Sequence, residues 1–181
     1  MQTSKHRVFI SYHHANDEAY KNSFESYFAD QTKQIISRSV SIGDIDSSLP
    51  AETIRGKIRD EFIREATVTV VLVGTETWKR RHVDWEIAAS IRKTSRNSRC
   101  GLLGLILPSH PDFGKQSYTA GIVPPRLVDN QKCGFAKIYD WDSSGENVAR
   151  WIHDAFLRRD VDTPDNSRDG FKYNKTAESW R

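Results

Sequence analysis

Cysteine is scarce in this 181-residue chain. Cys100 and Cys133 are the only two, widely separated and each beside an expected strand, so neither a disulfide scaffold nor a zinc site is indicated, and both read as small core residues. Long apolar runs are missing as well. The longest, GLLGLILP from Gly101, is far short of the ~20 residues a spanning helix needs. No secretory h-region opens the chain, which predicts a cytoplasmic protein without a membrane partner. Charge of one sign is also lacking: 27 Lys plus Arg against 24 Asp plus Glu, interspersed along the chain, leave +3. That balance argues against nucleic acid as a partner.

Several catalytic signatures are absent too. There is no GxGxxG or GxxxxGK[ST] phosphate loop, no GxSxG elbow and no HExxH, which disfavours dinucleotide redox chemistry, phosphate-loop hydrolysis, serine hydrolysis and zincin chemistry. A phosphoacceptor would need acids where the first and third expected strands end, and the chain has SYHH and VGTE there. His13 and His14 are adjacent and point to different sides of extended backbone, so they read as polar crevice residues, not metal ligands. His82 and Glu86, four apart, read as a surface contact.

What is present is alternation. A hydrophobic content of 37% suits one compact domain over residues 1–160, followed by a polar tail over 161–181 whose Phe171, Tyr173 and Trp180 could dock on it. Short apolar runs (RVFISY, IISRSVSI, TVTVVLVG, CGLLGLIL, GFAKIYDW) alternate with amphipathic stretches, the pattern of a parallel sheet with crossover helices. The expected fold is therefore α/β, a single flavodoxin-like domain with five parallel strands in the order 2-1-3-4-5 and helices on both faces. Its crevice opens where strands one and three part, between HHAND and the segment leading to Glu86. The stretch from Pro108 to Pro125 reads as irregular, and GDIDSSLP, holding Asp44 and Asp46, as loop.

On a helical wheel Val83, Ile87 and Ile91 form one stripe and Glu86 lies about 100° from it, at the boundary. Asp84 fits a helix-dipole partner better than Glu86 does. Trp85, away from the stripe, should be covered by a loop, a ligand or another subunit.

RVFISYHHAND and TIRGKIRDEFIREATVTVVLVGTETWKRRHVDWEI resemble the first box and the middle segment of the Toll/interleukin-1 receptor (TIR) domains, and within them the bacterial branch used in phage defence. The resemblance covers Lys5 to about Arg159. It implies NAD+ as substrate, with no separate cofactor and no metal: cleavage of the nicotinamide–ribose bond, with closure to a cyclic ADP-ribose isomer in the Thoeris branch. It implies Glu86 as the catalytic carboxylate, and Phe9, Ser11, Tyr12, His13, Asn16, Asp44 and Trp85 as substrate-binding residues. Its implied partners are an effector NADase reached through the diffusible cyclic nucleotide, a phage component as trigger, and further copies of the chain. The chain departs from the family at one point, since His82 stands where the W-x-x-x-E pattern has tryptophan. A non-catalytic module acting through TIR–TIR association is the alternative reading.

Overall fold

The structure, a computed structural model, describes residues 5–28, the backbone of 32–36, and residues 46 and 48–181. The chain alternates β1 (His6–Ser11), α1 (His14–Phe28), β2 (Thr32–Ile36), α2 (Ala51–Lys57), β3 (Val68–Val73), α3 (Arg81–Ser90), β4 (Gly101–Ile106), α4 (Pro125–Lys132), β5 (Ala136–Asp140) and α5 (Gly145–Val161). All strand pairings are parallel, in the order β2-β1-β3-β4-β5. The α/β architecture with helices on both faces is as the alternation predicts.

β3 is buried at every position, as a strand covered on both faces must be. Val8 and Ile10 of β1 join Val68, Val70 and Leu72 of β3 beneath α1 and α5, which supply Phe24, Phe28, Val148, Ile152 and Ala155. The opposite face carries Phe9, Val71, Val73, Leu102 and Ile106 under α2, α3 and α4. Each buried Val, Leu or Ile contributes about 1.5–3 kcal/mol, which fixes the strand register. The α3 stripe of Val83, Ile87 and Ile91 is buried on this second face as expected. Ser144 caps α5, its Oγ accepting from the Asn147 amide.

Three sequence expectations need correction, and one amphipathic stretch folds less regularly than its spacing implies. The second strand lies at Thr32–Ile36, earlier than the IISRSVSI run that predicted it; residues 37–42 lie outside the described residues. The four-residue spacing of Ile54, Ile58 and Phe62 does not make one regular helix: α2 passes into a π-helical turn at Ile58–Phe62, closed by the Ile63 amide on the Ile58 carbonyl at 2.9 Å. Arg59, 1% exposed, donates from its guanidinium to the carbonyls of Ile63, Ala66 and Ser98, so the turn's carbonyls bind an internal cation instead of water. The segment from Pro108 to Pro125 does not run directly into β5; it leads into α4, whose first turn starts with Pro125, a position that suits proline because the missing N–H has no helical acceptor there. Cys100 is buried as expected, but Cys133 is exposed, because it caps the end of α4 outside the sheet.

The chain after α5 has no further helix or strand, yet it is held at many points. Arg168 forms a two-pronged pair with Asp129 at 2.6 and 2.9 Å, Asn130 exchanges bonds with the Asp165 backbone, and the Trp180 indole donates to the Val123 carbonyl at 2.8 Å. Phe171 is buried and Trp180 partly so, whereas Tyr173 is 77% exposed.

Candidate functional site

β1 and β3 end side by side, with Ser11 opposite Val71, and the chain leaves them in different directions to α1 and α3. Strand alternation puts Phe9 and Ser11 on the face covered by α2 and α3. Phe9 is fully buried among Ile54, Ile58 and Ala89, while Ser11, at the strand's last position, donates its hydroxyl to the Glu86 carboxylate on α3. Glu86 is 0% exposed. The boundary position on the wheel is thus an interior one, because the end of β1 closes over that side of the helix.

Tyr12 turns to the opposite face, into the cluster of Val8, Ile10 and Phe24, and its hydroxyl donates to Glu18 at 2.6 Å. Burial and the Glu18 carboxylate push that phenol well above its ordinary value. The sequence placed Tyr12 and His13 at the crevice mouth; both are buried, since α1 starts at His14 and folds back at once. The expected surface contact of His82 with Glu86 is also overturned. His82 is buried, and its Nε2 lies 3.0 Å from the Tyr12 carbonyl; a carbonyl only accepts, so Nε2 carries the proton. His14 lies between the Tyr12 and His82 rings, with centroids at 4.6 and 5.1 Å.

These imidazoles are kept neutral at pH 7. Burial lowers His82 to about 4, and burial together with the Arg80 charge lowers His13 to about 4. Burial depresses His14 as well. Among the described residues, His13 Nδ1 and His14 Nε2 have no hydrogen-bond partner.

Asp17 is buried in the first turn of α1. Its carboxylate packs so closely on Gly74, just after β3, that any Cβ there would collide with it. Burial raises Asp17 to about 6, against the opposing effect of the Thr77 hydroxyl at 3.4 Å. Thr77 Oγ1 also accepts the Gly74 amide at 2.8 Å, so α1 is locked to the exit of β3. Nothing in the sequence ties Asp17 to Gly74, 57 positions later; the usable signals were a lone glycine ending a β-branched run and an acid in a first helical turn.

The remaining expected site residues lie elsewhere. Asn16 is exposed and bonds Glu76 at 3.3 Å. Asp44 lies outside the described residues, while Asp46 accepts from the Ser48 amide and hydroxyl, as a turn former does. Trp85 faces away from Glu86: its indole donates to the Phe171 carbonyl at 2.9 Å and the Arg81 guanidinium lies 5.0 Å from its ring. A cover over Trp85 was expected, and it is the C-terminal tail. Asp84 is no surface dipole partner but half of a buried ion pair with Arg126, at 2.9 and 3.3 Å, and it also accepts the Phe171 amide at 2.9 Å.

The structure therefore brings Ser11 and Glu86 together, packs Phe9 on the same face as a core residue, and sets His14 and His82 against Tyr12, the residue after Ser11. Chemically this is a desolvated carboxylate aimed by a hydroxyl, near imidazoles that are uncharged at pH 7. Such a group stabilises positive charge far better than a carboxylate in water. Among the described residues no three His, Cys, Asp or Glu side chains gather as a metal would require, and no helix is long and apolar enough to cross a membrane.

No curated protein matches the chain. Residues 9–112 match the family model described as Thoeris protein ThsB, TIR-like domain, a span that holds Ser11, Gly74, His82 and Glu86. That match takes in more than half of the chain and runs from β1 through β4, including the helix that carries Glu86, and the chain belongs to the TIR-like domain family of the Thoeris protein ThsB.

Proposed function

We propose that this protein acts in anti-phage defence by cleaving the nicotinamide–ribose bond of NAD+ and closing the remainder into a cyclic ADP-ribose isomer, with Glu86 as the catalytic carboxylate. The observation that carries the reading is the buried Glu86 carboxylate, held by Ser11 at the carboxyl end of β1, where ligands of doubly wound sheets bind.

Nicotinamide departs as a neutral molecule when the C1′–N bond breaks and the electron pair leaves with the ring nitrogen. No general acid is required. The ribose is left as an oxocarbenium ion, and a fixed anion in a dry site lowers the energy of that state more than it lowers the neutral surroundings of the sugar. Histidines held neutral by burial add no competing positive charge. With water excluded, a hydroxyl of the same molecule becomes the better-placed nucleophile: its oxygen bonds C1′ and its proton is released. Glu86 is closed off from solvent in this structure, so turnover requires an opening step. A phage component and association of several copies are the proposed triggers, and the cyclic product carries the signal to an effector NADase.

The same closure favours a second reading, a module that acts only by associating with other TIR domains. Mass spectrometry of nucleotides from bacteria expressing the wild type or Glu86→Gln, with and without phage, separates the two. The enzyme reading expects a cyclic ADP-ribose isomer in infected wild-type cells alone. Protection by the protein with no NAD+ product in either strain would sink it and leave the association module.

A further inference from the structure

A groove of about 550 Å³ runs between the start of α2, the first turns of α3 and the tail. Its volume lies in the range of small-molecule sites. Leu49 and Ile54 form an apolar floor, Trp85 a wall, and Arg55, Arg81 and Lys172 supply cations, against Asp169 as the acid among the lining residues. A tail docked for stability alone would close onto Leu49 and Ile54. Instead it is held by backbone bonds, with Arg55 donating to the Arg168 carbonyl at 3.1 Å, Trp85 to the Phe171 carbonyl at 2.9 Å and Arg81 to the Lys172 carbonyl at 3.0 Å, and the groove beside Leu49 and Ile54 stays open.

From this lining we infer that the groove binds the phosphates and an aromatic base of a nucleotide. Arg55, Arg81 and Lys172 meet the phosphates, and Tyr173, a groove residue that is 77% exposed, stacks on the base. Guanidinium forks match phosphate oxygens in charge and geometry, and an aromatic side chain stacks on any base. Arg55 is depressed first by burial and then by the positive charge of Arg126, with Glu52, 3.2 Å away, and Asp84 opposing. The inference deepens the NAD+ reading, and the choice of a nucleotide over another phosphorylated ring rests on it.

The test is titration of ADP-ribose into the full-length Glu86→Gln protein, which removes turnover, followed by calorimetry or equilibrium dialysis. Lys172→Glu and Tyr173→Ala alter exposed side chains, so thermal melts should match the parent. Each is expected to weaken ADP-ribose binding about tenfold or more. No saturable binding below about 1 mM, a millimolar limit being what weak small-ligand contacts reach, or equal binding by parent and both variants, overturns the proposal. Binding that is lost in the variants while infected wild-type cells make no NAD+ product would keep the groove and remove the catalytic reading. The reverse pattern would do the opposite.

Discussion

Asp84 and Glu86 stand two residues apart on α3, and both are buried, yet they are held by different means. Asp84 receives the Arg126 fork and the Phe171 amide, so its charge is cancelled and built into the joint between α3, α4 and the tail. Glu86 accepts the hydroxyl of Ser11 at the end of β1. Burial alone therefore does not say what a carboxylate on this helix does. The two acids face different elements: Asp84 faces α4 and the tail, and Glu86 faces the end of β1.

Removing either charge should break this symmetry of position. Asp84→Asn strands Arg126, which is 0% exposed, and an uncompensated buried charge costs about 3–5 kcal/mol; urea unfolding of the variant against the wild type reads it, and a loss under about 1 kcal/mol would mean that Asp84 is no more structural than a surface acid. On the other flank, Gly74→Ala drives a methyl group into the Asp17 carboxylate. Overpacking of that kind costs about 1–3 kcal/mol, measurable in the same unfolding experiment. If the variant were as stable as wild type, the lock between α1 and β3 would be disproved.

Lowering pH sharpens the comparison, because buried titrating groups lie on the crevice flank and at the start of β1. His6, His13 and His82 have folded values of about 4 against 6.5 when unfolded, so as pH falls below about 6.5 the unfolded chain takes up protons first and stability drops until about pH 4. Asp17, raised to about 6, has the opposite sign: between its unfolded value and about 6 the folded state binds the proton, which offsets part of the loss. The three histidines outnumber it, and the melting temperature should fall from pH 6.5 to 4. His82→Gln, which keeps a donor for the Tyr12 carbonyl, should flatten the slope; an unchanged slope would mean His82 is not a buried neutral imidazole. The smallest effect is expected at Trp85→Phe, which forfeits one hydrogen bond to the Phe171 carbonyl, worth about 1 kcal/mol, with faster proteolysis of the tail as its readout.

Much of the fold was legible because its signals are local. A β-branched run such as TVTVVLVG can only be a doubly covered strand, and the Val83, Ile87, Ile91 spacing fixes which side of α3 faces the sheet. α4 was missed because a proline-rich approach masks a helix that starts on a proline, and the π turn was missed because Arg59 sustains it through carbonyls as far away as Ser98. At the site the missing information was also long-range. A helical wheel places Glu86 at a boundary, and only β1, some 75 residues earlier, makes that boundary an interior. Trp85 signalled the need for a cover without saying which segment provides it, and the lone Gly74 and the acid in the first turn of α1 did not say that they meet.

The most direct test of the contrast between the two acids pairs a thermal melt with nicotinamide release for Glu86→Gln in infected-cell extracts. Glutamine keeps the shape and the acceptor for Ser11 and removes the charge. The account predicts a melting temperature within a few degrees of wild type, as for substitutions that cost under about 1 kcal/mol, and nicotinamide release reduced by about a hundredfold or more. Release at the wild-type rate from a folded Glu86→Gln protein would contradict it.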